Sequence, residues 1–254
     1  MEGIRKPFQG VLNIIRFNWH FYLLSIGLVL LIFISKNYLD TQYRLYLTIF
    51  CFVVIAGILI SLIVSLYVYD LSNLYRFEWM NNLNINSNNK IINIHAGFDE
   101  TSILLNSKYP DSELHVFDFY DPKKHTEVSI KRARKAYPPF KNVIEISTSI
   151  LPLEDNYADN IFVIFSAHEI RNDYERVIFF KELNRVTRDS GKVIVTEHLR
   201  DLKNFLAYNI GFFHFLSKAS WFKTFYNADF KVSKEIKITP FITTFILEKN
   251  GTTP

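Results

Sequence analysis

Three short apolar runs, at 91–95 (IINIH), 161–165 (IFVIF) and 192–197 (KVIVTE), end in or lead into side chains that exchange protons. His95 ends the first run, His168 and Glu169 follow the second, and Glu197 and His198 close the third. A neutral imidazole near pH 7 can take a proton from a hydroxyl, thiol or amine, and a neighbouring carboxylate can orient it. His168 and His198 are therefore candidate general bases, with Glu169 or Glu197 orienting them. The same residue types could ligate zinc, iron or manganese. No HExxH or other short ligand spacing is present, so no residue is assigned to a metal. The third reading is that these groups bond loop backbones or water. Asp99, Glu100, Arg171 and His214 are placed to border the same region.

The elements that must position these groups follow from an alternation that begins at Lys90. Apolar or β-branched runs at 91–95, 114–118, 142–146, 161–165 and 192–197 alternate with helix-like stretches at 100–108, 124–136 and 172–188, the last opening on an Asn172/Asp173 cap. That order predicts an α/β domain, a doubly wound and mostly parallel sheet with helices on both faces. In such sheets ligands bind beyond the carboxyl ends of the strands, where the His and Glu residues above fall. EIKITPFITTFILEK (235–249) adds two β-rich runs around Thr239-Pro240, a closing antiparallel hairpin that brings the strands to seven.

Ahead of this domain, residues 17–35 and 45–69 contain no Asp, Glu, Lys or Arg. At about 1.5 Å per residue each could span a hydrocarbon core of roughly 30 Å. The nine residues between them, KNYLDTQYR, force an antiparallel two-helix transmembrane hairpin with both chain ends on one side. Arg5, Lys6, Arg16 and Arg76 lie on that side, against Lys36 and Arg44 in the loop. The bias favours a multi-pass inner-membrane protein with its main domain in the cytoplasm. The expected organisation is a hairpin over 1–69, an amphipathic segment and linker over 70–89, and the α/β domain over 90–254. The amphipathic reading rests on Leu71, Leu74, Tyr75 and Trp79 at helical spacing.

Charge and cysteine usage narrow the function. Residues 1–69 hold five Lys/Arg against two Asp/Glu, so most of the net +4 lies there. The nearly neutral remainder lacks the electrostatic footprint of a nucleic-acid binder. Cys51 is the only cysteine, which permits no intrachain disulfide and no thiolate zinc cluster. NFLAYNIGFFHFLSKASWFKTF (204–225) carries more aromatics than one buried stripe needs, which suggests a wall for a lipophilic substrate beside the plainer role of packing on the sheet. The basic run KRARK (131–135) suits either anionic headgroups or a solvated helix face.

Three longer stretches carry a family resemblance. LPLEDNYADNIFVIFSAHEI (151–170) resembles the approach to the fourth strand in class I S-adenosylmethionine-dependent methyltransferases. FFKELNRVTRDSGKVIVTE (179–197) and WFKTFYNADFKV (221–232) resemble the helix, turn and strand segments that follow there. The phrases YDLSNLYRF, NIHAGFDETS, FDFYDP, AHEIR, TEHLRDLKNFLAY and TPFITTF also resemble a group of bacterial membrane-linked methyltransferase-like proteins.

The resemblance covers residues 90–249 and implies a Rossmann-like methyltransferase fold in which the three His-bearing strands are neighbours. It implies S-adenosylmethionine as cofactor. In NIHAGFDE, Asn93 stands where the family has an acid, and His95, Gly97 and Asp99 stand at its three glycines, of which Gly97 alone is kept. Asp118 matches the acid that accepts from the ribose hydroxyls, and Ser147 or Thr148 falls where the adenine is contacted. The expected function is a membrane-anchored methyltransferase acting on a lipophilic small molecule. The alternatives are a repurposed, non-catalytic domain tethered to the membrane as an interaction partner, and a metal-dependent enzyme using the His/Glu crevice. Nothing in the sequence fixes the oligomeric state.

Overall fold

The computed structural model describes residues 5–83, 85, 88–125 and 127–251. Residues 84, 86 and 87 of the expected linker lie outside them. Two long helices, α1 (Gln9–Ser35) and α2 (Thr41–Leu66), form the antiparallel hairpin. Both, with their short extensions, are long and apolar enough to cross a membrane. Their apolar side chains point outward rather than into a core: Leu24 is 69% and Phe52 is 72% exposed.

α1 bends at Asn18, whose backbone leaves the helical region and whose side chain bonds Ile14 O at 3.0 Å. Before the bend α1 buries Gly10, Asn13 and Phe17, while beyond it most side chains are exposed. α2 runs on into a π turn, Tyr67–Leu71. There Asp70 accepts hydrogen bonds from Gly10 N and Val11 N at 2.7 and 2.8 Å, satisfying two free donors at the start of α1 with a negative charge. Gly10 is needed at this crossing, because a Cβ would collide with that of Tyr69.

Residues 72–83 do not continue as an amphipathic helix. They coil, with a 3-10 turn at Glu78–Leu83, and bury Leu74, Phe77, Met80 and Leu83. Phe77, Met80 and Leu83 pack with Ile91, Phe162, Ile194 and Ile246 of the sheet. The apolar spacing read as a membrane-surface pattern covers one face of the sheet instead.

The α/β domain has β1 (Lys90–His95), α3 (Ser102–Lys108), β2 (Glu113–Asp118), α4 (Val128–Ala136), β3 (Ile144–Glu145), β4 (Ala158–Ile164), α5 (Asp173–Val186), β5 (Thr187–His198), α6 (Leu202–Tyr208), α7 (Lys218–Asn227), β6 (Phe230–Thr239) and β7 (Ile242–Lys249). The seven strands lie in the order β3-β2-β1-β4-β5-β7-β6, with β7 antiparallel to both neighbours and the rest parallel. The doubly wound sheet and the closing hairpin are as the run order predicts. Strands β1, β4 and β5 are buried on both faces, which explains their continuous apolar character. Asn172 caps α5 by accepting from Glu175 N, as its sequence position suggests.

The stretch 204–225 is broken rather than one helix. Asn209 takes φ 50°, ψ −119°, and a 3-10 turn, Asn209–His214, separates α6 from α7. α7 buries Trp221 and Phe225 in the core, so part of the aromatic density is packing. The α6 half exposes Leu206, Ile210 and Phe213. It leans on α2, where Asn209 Nδ2 donates to Gly57 O at 3.3 Å.

Asp70→Ala should cost about 1–2 kcal/mol through loss of the α1 cap. The check is the thermal midpoint of the detergent-solubilised chain, and an unchanged midpoint would show that this contact does not hold the hairpin base.

Candidate functional site

The neighbouring order of β1, β4 and β5 brings their carboxyl ends to one edge. After β4 the chain makes a 3-10 turn, Ala167–Glu169, that directs His168 toward the last residues of β5. Glu197 accepts from the His168 backbone N–H at 3.2 Å and pairs with its Nδ1 at 2.7 Å. Across the ring, Nε2 lies 3.3 Å from Glu169 Oε1. His214, delivered by the turn after α6, places its Nε2 3.3 Å from the same Glu169 oxygen and its Nδ1 2.8 Å from Glu127 Oε1. The two imidazoles meet edge to face with centroids 4.9 Å apart.

Burial lowers the pKa of His168, but Glu197 and Glu169 outweigh it and raise the value to about 10. Burial works the other way on Glu169, yet bonds to His168 and His214 hold its carboxyl well below the usual range. Arg171, 3.8 Å from Glu127, is the cluster's guanidinium, and the two carboxylates on His168 favour the charged form of that ring.

His198 differs. It is almost fully buried, its Nε2 shares a hydrogen bond with Tyr69 OH at 2.8 Å, and its Nδ1 meets Asn204 Oδ1 at 3.1 Å. Its ring stacks on Phe215 at 4.8 Å. Burial drives its pKa down to about 4. Both nitrogens are thus engaged, and His198 joins the end of β5 to the hairpin base instead of facing His168 as a second base.

The Gly97 turn forms a separate group. His95 Nδ1 accepts from Gly97 N at 3.2 Å and stands 3.6 Å from Asp118 Oδ1. Asn93 donates to Thr101 and Ser102 at 2.9 and 2.7 Å, and Asp99 Oδ1 accepts from the N–H of both at 2.9 Å. Gly97 has φ +89°, and a Cβ there would lie 2.9 Å from the Tyr120 ring and 3.1 Å from Arg134 Cδ. Asp118 accepts from Tyr120 N at 2.9 Å and is ion-paired with Arg134. Ser147 and Thr148 line a cavity of about 330 Å³ with Phe119, Tyr120 and Ile146, at the end of β2. A larger cleft, about 450 Å³, lies between α5 and α7 around the buried Arg176, away from the strand ends and their titratable groups.

The rim of this turn comes from the start of α1, from Arg5 just ahead of it and from Tyr75. Glu100 pairs with Arg5 at 2.8 Å and accepts from Tyr75 OH at 2.9 Å. Tyr137 OH donates to Asn13 Oδ1 at 2.9 Å, and Phe17 packs edge-on against Phe98. Arg132, from the basic run, donates to Phe17 O at 2.6 Å and lies over Trp19, so part of that run braces the bend in α1.

Residues 124–195 match the family described as "Methyltransferase domain". The domain has the class I S-adenosylmethionine-dependent methyltransferase fold. Among solved structures, a SAM-dependent methyltransferase from Aquifex aeolicus aligns with a TM-score of 0.51 at 16% identity, covering 70% of this chain and 93% of its own. The PH0226 protein from Pyrococcus horikoshii OT3 aligns at 20% identity with a TM-score of 0.49, covering 70% and 92%. No curated protein matches the chain. S-adenosylmethionine is the cofactor named for the Aquifex aeolicus protein that shares this fold.

The turn fits that cofactor in part. Asn93 Oδ1, His95 Nε2 and Asp99 Oδ2 are buried without a hydrogen-bond partner, and the cavity by Ser147 and Thr148 opens at Phe119, the residue after Asp118. Asn93 Oδ1 and Asp99 Oδ2 accept, whereas His95 Nε2 donates because its Nδ1 accepts from Gly97 N. Unpaired buried groups are costly, so the turn suits a polar ligand bearing both donors and an acceptor. Arg134, which the sequence did not single out, stands on the Asp118 carboxylate. Glu127 and Tyr69 were missed as well, since each acts across a long sequence separation without a local motif.

The depressed His198 pKa gives a pH prediction. An unfolded His titrates near 6.5, so stability is full above that pH and falls as pH drops from about 6.5 toward 4, by roughly 3 kcal/mol at most. Thermal midpoints across this window should drop less steeply in His198→Asn than in the native chain; parallel curves would contradict the assignment.

Proposed function

We propose that this chain is a membrane-anchored S-adenosylmethionine-dependent methyltransferase whose acceptor is a lipophilic small molecule. One observation carries the lipophilic part. The α6 segment that delivers His214 to the crevice also lies along α2 at Gly57, with Leu206, Ile210 and Phe213 exposed beside it. Gly57 is nine residues before the end of α2, so this contact lies about 13 Å along the apolar helix. A molecule dissolved in the bilayer would thus reach the His168 cluster along an apolar path.

The cofactor, when bound, supplies a methyl group on a sulfonium. Asp118 would hold its ribose hydroxyls once Arg134 gives way, Gly97 would take the closest backbone approach, and the cavity at Ser147 and Thr148 would take the base. Asp99, His95 and Asn93 would meet its polar end with the atoms now unpartnered. On the acceptor side His168, Glu169 and Glu197 would position the nucleophile, with His198 a positioning residue behind them. The protein's share is mainly orientation, which alone can supply about 7–11 kcal/mol of a barrier.

The Arg134–Asp118 pair and the Tyr120 ring on Gly97 also favour the second reading, a domain that kept the fold and lost the cofactor. Calorimetric titration of S-adenosylmethionine into the full chain in detergent separates the two. The expected result is micromolar binding, abolished by Asp118→Ala and tightened about tenfold by Arg134→Ala, the worth of one charge-assisted hydrogen bond. No binding to native chain and Arg134→Ala alike would leave the non-catalytic reading standing.

The membrane path has its own check. In a chain carrying Trp19→Phe and Trp79→Phe, a tryptophan placed by Phe213→Trp should be quenched by lipids brominated on their acyl chains when the protein is in vesicles. Quenching no stronger than that of buried Trp221 alone would refute the path.

A further inference from the structure

We propose that His168, Glu169 and His214 form a divalent-cation site, zinc by its geometry, on the acceptor side of the crevice. Their three ligand atoms lie within 4.8 Å of one another. Both Nε2 atoms face Glu169 Oε1, each at 3.3 Å. Ligands around a tetrahedral zinc with bonds of about 2.0–2.1 Å stand ~3.3 Å apart, so the two nitrogen–oxygen edges already match and the nitrogen–nitrogen edge, within 4.8 Å, closes to that length when an ion binds.

The outward-facing nitrogens separate this set from a chance meeting of two histidines and a glutamate. Nδ1 of His168 is held by Glu197 at 2.7 Å, and Nδ1 of His214 by Glu127 at 2.8 Å. A carboxylate on the far nitrogen fixes the ring and turns the other nitrogen's lone pair toward a cation, the usual support of a histidine metal ligand. Here both rings have that support, and the two supporting carboxylates come from different elements: the residue ahead of α4 and the end of β5.

Charge points the same way. Glu127, Glu169 and Glu197 surround two imidazoles and one guanidinium, Arg171. With neutral imidazoles the cluster carries two negative charges in excess, which one divalent ion cancels. Arg171 now bonds the His214 ring, and its guanidinium is 43% exposed and 3.8 Å from Glu127. It can move to Glu127 or to solvent when an ion enters.

Three protein ligands leave a fourth position open for water or a substrate oxygen. Its use rests on the methyltransferase reading. An acceptor hydroxyl bound there would lose its proton to solvent near neutral pH. Its oxygen electron pair would form the bond to the methyl carbon as that carbon's bond to the sulfonium sulfur breaks, the pair staying on sulfur and the neutral thioether leaving. This narrows the acceptor to a lipophilic alcohol or phenol.

The test uses the full chain, purified without a polyhistidine tag, stripped by chelator and titrated with zinc and with cobalt(II). One equivalent should bind, and cobalt should give the intense visible absorption of a four-coordinate site. His214→Ala, at a partly exposed turn outside the core, should abolish binding, and Glu127→Gln should weaken it about ten- to hundredfold. Arg171→Ala should tighten it, whereas His115→Ala, on the far end of β2, should leave it unchanged. Failure to bind zinc or cobalt, or binding that survives both His214→Ala and Glu169→Gln, overturns the site. Because the readout is metal alone, it can fail while cofactor binding stands, and cofactor binding can fail while it stands.

Discussion

Asp70 accepts from the first N–H groups of α1 while sitting in the turn that ends α2, and this fixes where the hairpin meets the domain. The residue before it, Tyr69, reaches His198 at the end of β5. Asp70 thus closes the hairpin base, and Tyr69 beside it joins that base to the end of β5. The cost of burying a carboxylate is met by donors that a helix start otherwise leaves unpaired. Nothing so short could be made from the linker side, where the chain passes under the sheet face before entering β1.

With the hairpin base fixed, the first two turns of α1 become part of the crevice. Asn13, Phe17 and Arg5 contact Tyr137, Phe98 and Glu100, so the wall above the Gly97 turn belongs to a helix that precedes the α/β domain in the chain. This accounts for the polar turn. Where a glycine-rich loop leaves open backbone, this chain has Asn93, His95 and Asp99 bonded among Thr101, Ser102 and Gly97, a preformed polar floor covered from above. Strictly apolar replacements there would leave the N–H groups of Thr101 and Ser102 without acceptors.

The sheet was legible because its information is local: alternating apolar runs, the Asn172 cap and the β-rich pair around Pro240 each announce an element within a few residues. The cluster at His168 and Glu197 was legible for the same reason, as both end strands that the topology makes neighbours. His198 shows the limit. It is adjacent to Glu197, but successive strand residues face opposite ways, and its partners, Tyr69 and Asn204, decide its role. Arg134 was hidden inside a basic run, where nothing local distinguishes the residue that reaches Asp118 from those facing water. The stretch 72–83 was misjudged because apolar spacing reports that a face is buried, not whether lipid or a sheet buries it; Phe77 and Met80 settle that by packing.

The break at Asn209 is the remaining feature that needs a physical reason. A continuous helix from 202 to 227 would carry its aromatic residues around all sides, and the sheet can bury only one. Positive φ at Asn209 divides the stretch, so that Trp221 and Phe225 go to the core while Leu206, Ile210 and Phe213 go the other way. In water that second group would be an unfavourable apolar patch. Beside α2, whose own surface is apolar along its length, the patch continues one lipid-compatible face, and the Asn209 amide is satisfied by a helix carbonyl rather than by solvent. The same break turns His214 inward onto Glu169 and Glu127. One backbone reversal thus sets both the exposed apolar patch beside α2 and the polar end of the crevice, which is why the two meet.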